Sequence, residues 1–130
     1  LVGSEMCIRD RIYRMIFNLT ENAIKYNRPD GSVQVCITQE PEKLLILVSD
    51  TGRGIPEEYQ QSIFQPFFRV DKSRSRTFGG AGLGLALVWE IAALHGGSVR
   101  VAESSDSGTT IAAELPRSGN HAADPKNEML

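Results

Sequence analysis

The order in which hydrophobic patterns follow one another constrains the fold of this chain more than any other feature. Apolar residues recur every three or four positions over 12–26, alternate with polar ones over 33–39, and run almost unbroken over 44–50. A second helical pattern (82–95) is followed by two more short apolar segments on either side of the turn Asp106–Gly108. Periods of about 3.6 and 2 residues are those of helices and strands. The patterns therefore predict the order helix, two strands, helix, two strands.

This order predicts an α/β (α+β) fold, a two-layer sandwich in which helices cover one face of a mixed, mostly antiparallel sheet. The short connection from Glu40 to Lys43 predicts a hairpin between the first two strands. The second strand is nearly all apolar, so we expect it to be buried on both faces, and the first to be half exposed. Pro56 predicts the start of a short helix that ends near Phe64.

Composition limits what the chain can be. Its 130 residues allow one domain, and a net charge of −2 argues against nucleic-acid binding, which needs an excess of Lys and Arg. No apolar run approaches the roughly 20 residues that span a bilayer, and residues 1–10 lack the apolar core of a signal peptide. We expect a cytoplasmic domain over residues 11–116, a non-native leader over 1–10 and a disordered tail over 117–130.

Three polar residues share one face of the first helix. Asn18 and Asn22 are four positions apart and Lys25 follows three later, so the three side chains point into a sector of roughly 60°. Leu19 and Ala23 point elsewhere, toward the expected core. Amide oxygens are suitable ligands for Mg²⁺, and a lysine can bind phosphates. The alternative is a solvated polar helix face without function.

A second candidate site follows the second strand. Asp50 ends this strand, and its carboxylate is suited to accept a hydrogen bond from an adenine amino group. Gly52 and Gly54 would allow the backbone to turn and approach a flat ring, against which Ile55 could pack. The alternative is an ordinary Asp-x-Gly turn at a strand end.

A third candidate is the glycine-rich start of the second helix. Glycines at 79, 80, 82 and 84 precede strong helical periodicity, and the free N–H groups of a helix start bind phosphate well. No Gly-Lys-Ser/Thr follows, and no strand precedes, so the segment is neither a Walker loop nor a dinucleotide fingerprint. Upstream lies the densest basic cluster, which contains Arg69 and Lys72; we expect Arg69 to reach a γ-phosphate. The alternatives are a glycine-rich linker and a solvated basic loop.

Together these motifs resemble the ATP-binding domain of two-component sensor histidine kinases, in the superfamily that also contains gyrase, heat-shock chaperones and mismatch-repair ATPases. The resemblance covers residues 11–116 and rests on an N box (Asn18, Asn22, Lys25, Tyr26), a first glycine box (Asp50, Gly52, Gly54), the segment IFQPFFRVDKSRS and a second glycine box (Gly80, Gly82, Gly84). It implies that ATP and Mg²⁺ bind here, with Asn22 and Asn18 as metal ligands and Arg69 stabilising the transferred group. The other nucleotide-binding residues that it implies are Lys25, Tyr26, Asp50, Gly52, Gly54, Ile55, Lys72, Gly80, Gly82, Leu83, Gly84 and Leu85.

The same resemblance implies transfer of the ATP γ-phosphoryl group to a histidine of a separate dimerisation domain, for relay to a response regulator. Hydrolases of this superfamily carry a glutamate base where Asn18 stands. The phosphoacceptor histidine motif is absent, since neither His95 nor His121 matches it, and strands and a helix that normally begin the domain are absent too. We therefore expect a C-terminal fragment that is inactive without its phosphoacceptor domain. The resemblance leaves open whether the parent protein is anchored in the plasma membrane. Two alternatives are an anti-sigma-factor-type serine kinase, in which we would expect Glu at position 18, and a non-catalytic nucleotide-sensing module.

Overall fold

The computed structural model describes residues 7–68 and 84–117. The helices are α1 (Ile8–Lys25) and α2 (Gly84–Leu94), and two single 3₁₀ turns lie between them (Glu57–Tyr59 and Ser62–Phe64). The strands are β1 (Val33–Gln39), β2 (Lys43–Asp50), β3 (Ser98–Ser105) and β4 (Gly108–Pro116). The predicted order of helices and strands is confirmed, and no helix of the described part is long and apolar enough to cross a membrane.

The four strands form one sheet in the order β1-β2-β4-β3. All three pairings among these strands are antiparallel, and β1 and β2 form the predicted hairpin, with Val35 opposite Val48. β2 and β4 are neighbours although they are far apart in sequence, with Ser49 opposite Thr110. This pairing brings the end of β2 next to the start of β4, where the candidate site lies.

Both helices pack on the same side of the sheet and enclose the core. α1 contributes Met15, Leu19 and Ala23, whose side chains are almost fully buried, so the predicted inward direction of this helix is confirmed. They meet apolar residues of β2 and α2 in one cluster, which includes Ile46 and Val88. Full burial of an aliphatic side chain of this size stabilises a fold by about 1.5–3 kcal/mol. This packing fixes the direction in which the polar face of α1 points.

The sheet is less covered than the sequence predicts. In β2 only alternate residues are buried (Leu44, Ile46 and Val48), whereas the residues between them are half-buried. In β1, Val35 and Ile37 share the helix-facing side with Val48 and Ile46 but are 40% and 51% exposed. The prediction that β2 is buried on both faces is thus wrong, because the described helices cover a single face.

The segment after Asp50 also differs from its prediction. In place of one short helix there are two 3₁₀ turns with i→i+3 hydrogen bonds, such as those from Tyr59 N to Pro56 O and from Gln65 N to Ser62 O, both 2.9 Å long. The second turn buries Ile63 and Phe64, and the ring of Phe64 lies 5.5 Å from that of Trp89. The second of these short turns places both side chains in the core, and neither turn continues into a longer helix.

Structured residues are found slightly beyond the helical and strand patterns that the sequence shows. α1 begins at Ile8, four residues before the predicted periodicity. At the other end, the Arg117 backbone N–H donates to Glu42 O at 2.8 Å, so this residue is attached to the β1–β2 connection. Residues 1–6 of the expected leader and 118–130 of the expected tail lie outside the described residues, as does 69–78 of the basic segment.

Candidate functional site

The polar face of α1 carries the three residues that the sequence predicts to bind a metal ion and a phosphate. Asn18, Asn22 and Lys25 are half-buried next to the core residues Leu19 and Ala23. None of the three side chains forms a hydrogen bond or ion pair with another residue of the described ranges 7–68 and 84–117. Half-buried amides normally satisfy part of their hydrogen-bonding capacity within the protein. That these groups have no partner among the described residues is consistent with the predicted ligand site, and their binding role stays a prediction.

The possible metal ligands of this face, the amide oxygens of Asn18 and Asn22, are uncharged. Within the part of the chain that the structure describes, no three His, Cys, Asp or Glu side chains lie together as metal ligands would. A divalent cation held by amide oxygens alone keeps most of its charge, so it needs an anionic ligand from elsewhere. Nucleotide phosphates meet this requirement.

Asp50 is the best-defined side chain of the site. Its Oδ1 accepts hydrogen bonds from the backbone N–H of Gly52 (2.8 Å) and from that of Thr109 (3.2 Å). Its Oδ2 accepts none from a described residue, and the carboxyl group is half-buried. Two backbone donors thus fix one carboxylate oxygen, and the other has no donor among the described residues.

The end of α1 and the turn after Asp50 are in close contact. A Cβ on the buried Gly52 would lie only 2.7 Å from the backbone oxygen of Tyr26. The N-box and first-glycine-box residues, which are separated in sequence, therefore form one surface. Tyr26 itself is 42% exposed at this junction.

Ile55 follows the same turn and is held by a residue of β3. Its N–H donates to Ser104 Oγ at 2.7 Å, and that hydroxyl also pairs with Thr109 Oγ1 at 2.9 Å. Thr109, 5% exposed, is the buried polar residue of the described core. Ser104 and Thr109 therefore support both Asp50 and Ile55. Sequence reasoning missed these two residues, since 59 positions separate Thr109 from Asp50 and no local pattern distinguishes them from other strand residues.

Two glycines allow these close approaches. Gly54 has φ +84°, and a Cβ there would collide with the backbone oxygen of Ser105. Gly108 has φ +139°, and its Cβ would collide with the backbone oxygen of Asp50. Both positions combine a backbone conformation that favours glycine with a contact that excludes any side chain.

We expect Gly108→Ala to destabilise the fold by about 2–3 kcal/mol, because it adds left-handed backbone strain to a backbone clash. The start of β4 would have to move away from Asp50, which breaks the Thr109 hydrogen bond. Urea unfolding of both proteins measures the effect. The matched control is Gly84→Ala, where a Cβ would meet nothing within 4 Å and stability should be unchanged or slightly higher. Equal stability of Gly108→Ala and the wild type would contradict this prediction.

The remaining predicted site residues divide into two groups. Gly84 is exposed and Leu85 is half-buried in the first turn of α2. Five others lie outside the described residues, so their roles remain predictions: Arg69, Lys72, Gly80, Gly82 and Leu83.

A histidine lies at the far end of α2. The backbone N–H of this residue, His95, donates hydrogen bonds to Ile91 O and Ala92 O. Gly96, with φ +72°, follows the end of the helix. The Nε2 atom of His95 is buried and has no hydrogen-bond partner among the described residues. Burial lowers the pKa of His95 from its ordinary value of 6.5, and the positive charge of Arg11 lowers it further.

This histidine predicts a pH-dependent stability. Because the folded state has the lower pKa, the unfolded state binds more protons, so stability is complete above pH 6.5 and falls as pH drops through the folded pKa. We expect the free energy of unfolding to decrease as the pH falls below about 6.5. In His95→Gln this decrease should become smaller, whereas His121→Gln, which replaces the second of the two histidines, should retain it. Identical pH slopes in all three proteins would exclude His95 as the cause.

Comparisons with known proteins identify the family of the chain. Residues 7–119 match the family described as histidine kinase-, DNA gyrase B- and HSP90-like ATPases. Two curated relatives are the circadian input-output histidine kinase CikA of Synechococcus elongatus (39% identical over 106 residues, 82% of this chain) and the sensor histidine kinase WalK of Bacillus subtilis (40% over 110 residues, 83%). The chain spans 14% and 18% of their lengths.

Solved structures show the same fold. The mycobacterial sensor histidine kinase MprB has a TM-score of 0.72 and 33% identity, with 85% of this chain and 75% of that chain covered. Full-length ShkA in complex with AMPPNP has a TM-score of 0.70 and 30% identity, with 82% and 21% covered. The predicted fold class is thereby confirmed.

Proposed function

This chain belongs to the histidine kinase-, DNA gyrase B- and HSP90-like ATPases, as an ATP-binding domain of the sensor histidine kinase type, and we propose that its parent protein uses it to phosphorylate a histidine. The observation that carries this proposal is the geometry of Asp50. One carboxylate oxygen is held by two backbone N–H groups, and the other accepts no hydrogen bond from residues 7–68 or 84–117; the group lies next to the end of α1. That arrangement fits the exocyclic amino group of adenine, which only donates.

The other residues of the site extend from this anchor toward the phosphates. Ile55 would pack on the base beside Asp50, and Lys25 would bind a phosphate from the polar face of α1. The residues proposed for the remaining nucleotide contacts are Tyr26, Gly52, Gly54, Lys72, Gly80, Gly82, Leu83, Gly84 and Leu85. Arg69 is proposed to stabilise the charge that develops on the transferred phosphoryl group.

Asn22, together with Asn18, is proposed to hold Mg²⁺. Both amides are free of partners in the described part of the chain and lie on the same face as Lys25. When bound, Mg²⁺ would offset negative charge on the phosphates. The neutral donor set fits a metal that arrives with the nucleotide, because the phosphates then supply the anionic ligands.

The residue at position 18 favours phosphotransfer over hydrolysis. An Asn side chain cannot remove a proton from water at neutral pH, so it does not supply the general base that a hydrolase needs. Glu21 is exposed, and its side chain points about 100° away from that of Asn22, so it is a poor substitute for such a base. ATP would therefore persist until an imidazole nitrogen attacks the γ-phosphorus and the bond to ADP breaks. The histidine would come from a dimerisation domain of the parent protein, and a response regulator would accept the phosphoryl group from it, in the cytoplasm.

Two measurements test this function. The 130-residue chain should bind ATP more tightly than GTP, and its affinity for ATP should fall when EDTA removes Mg²⁺. The full-length parent protein should then carry an acid-labile phosphoramidate, which is the chemical group of phosphohistidine. Acid-stable phosphate on a protein serine would support the serine-kinase alternative, and ATP binding without any transfer would support the sensing module.

A further inference from the structure

Arg28 lies in the connection between α1 and β1 and reaches two other loops. Its Nε donates to the backbone oxygen of Thr51 at 3.0 Å. Its Nη2 donates to the backbone oxygens of Asp106 at 2.5 Å and Gly52 at 3.5 Å. One guanidinium group therefore joins the turn after Asp50 to the turn between β3 and β4.

The loop that carries Arg28 is itself fixed to the same turn. Thr51 Oγ1 donates to Asn27 Oδ1 at 3.0 Å and accepts from the Ser32 N–H at 2.9 Å. Asn27 Nδ2 donates to Ser32 O at 2.8 Å. These contacts hold the backbone of the α1–β1 connection, so the guanidinium group approaches the turn from a defined direction.

The guanidinium group of Arg28 is suited to orient the backbone carbonyl groups that it contacts. Arg28 forms no ion pair with a carboxylate of the described residues, so its donors are used on backbone carbonyls. A planar guanidinium with five N–H groups can bind several carbonyls at fixed angles, which the single ammonium of lysine cannot do. Hydrogen bonds from a charged donor are also stronger than neutral ones.

The link to Asp50 passes through one peptide group. The carbonyl of Thr51 and the N–H of Gly52 belong to the same planar trans peptide, and they point in opposite directions. Arg28 binds the carbonyl end at 3.0 Å while the N–H end donates to Asp50 Oδ1 at 2.8 Å. Rotation of this peptide would break both bonds together, so Arg28 restrains the donor that orients the carboxylate.

We propose that Arg28 is a positioning residue that sets the preference of this site for adenine, by holding the Thr51–Gly52 peptide in the orientation that Asp50 requires. This inference rests on the proposed function, because it assumes that Asp50 contacts the base. Arg28 lies outside the N box and the glycine boxes, and its role follows from its three carbonyl contacts.

The test compares Arg28→Ala and Arg28→Lys with the wild-type chain and with Arg100→Ala. Arg100 is a matched control, since it is an exposed arginine whose contact is with Glu114 on the sheet, 3.6 Å away. The dissociation constants for ATP and for GTP are measured for each protein. We expect Arg28→Ala to lower the ratio of ATP to GTP affinity about tenfold, because the freed carboxylate loses its orientation toward the amino group. Arg28→Lys should recover little of this ratio, and Arg100→Ala should leave it unchanged.

A second measurement does not depend on nucleotide. Amide hydrogen exchange of Gly52 should become about tenfold faster in Arg28→Ala, while the amides of β2 and β4 keep their protection. An unchanged ATP-to-GTP ratio with unchanged exchange at Gly52 would overturn the inference, as would a uniform loss of protection across the sheet. A wild-type chain that binds neither nucleotide would instead overturn the proposed function, and the inference with it.

Discussion

Asp50→Asn is expected to weaken ATP binding about 100-fold, which corresponds to about 2.8 kcal/mol. The reason is the fixed orientation of this side chain. The N–H groups of Gly52 and Thr109 both require an acceptor at the Oδ1 position, so the new amide must place its oxygen there. Its NH₂ group then occupies the Oδ2 position and directs donors at the adenine amino group, which is also a donor.

The same geometry predicts a change in base preference. Guanine carries a carbonyl oxygen where adenine has its amino group, so the NH₂ group of the substituted side chain would meet an acceptor. The ratio of ATP to GTP affinity should therefore fall by more than the loss of one negative charge explains. Asp30→Asn is the control, since it removes the same charge from an exposed position in the α1–β1 connection. If both variants bound ATP as the wild type does, Asp50 would not contact the base.

Asn22→Ala is expected to abolish Mg²⁺-dependent histidine phosphorylation in the full-length parent protein. Its amide is proposed as a metal ligand, and alanine offers no oxygen to replace it. The fold should be unaffected, because the side chain of Asn22 has no partner in the described part of the chain and alanine is the better helix former. Phosphorylation with labelled ATP, measured beside thermal unfolding, separates the two effects.

The control for this variant is Glu21→Ala, a neighbouring and exposed position of the same helix. It should retain phosphorylation, since its side chain points about 100° away from that of Asn22. Retained activity in Asn22→Ala would remove Asn22 from the metal site, whereas a lowered melting temperature would show that its role is structural.

Much of the fold follows from local patterns. The burial of Leu19 and Ala23 was predictable, because helical periodicity alone places them on the face opposite the exposed residues. The β1–β2 hairpin was predictable from its short connection. The segment after Pro56 was not predicted correctly, since its two 3₁₀ turns depend on how Ile63 and Phe64 pack in the core.

In the candidate site, too, some residues were predictable from the sequence and others were not. The motif residues Asn18, Asn22 and Asp50 were found from the sequence, since each carries a distinctive side chain at a distinctive position. Their supporting residues were not. Thr109 and Arg28 reach the turn after Asp50 from elements that are distant in sequence, and neither belongs to a pattern that could be recognised along the chain.

The sequence by itself determined the order of helices and strands, the inward face of α1 and the family to which the chain belongs. The tertiary structure alone decided the strand order β1-β2-β4-β3 and the atoms that hold Asp50. The physical reason is one of range. Periodicity and turn chemistry act within a few residues, whereas the position of Thr109 beside Asp50 depends on which strands pair when the two helices pack on the sheet.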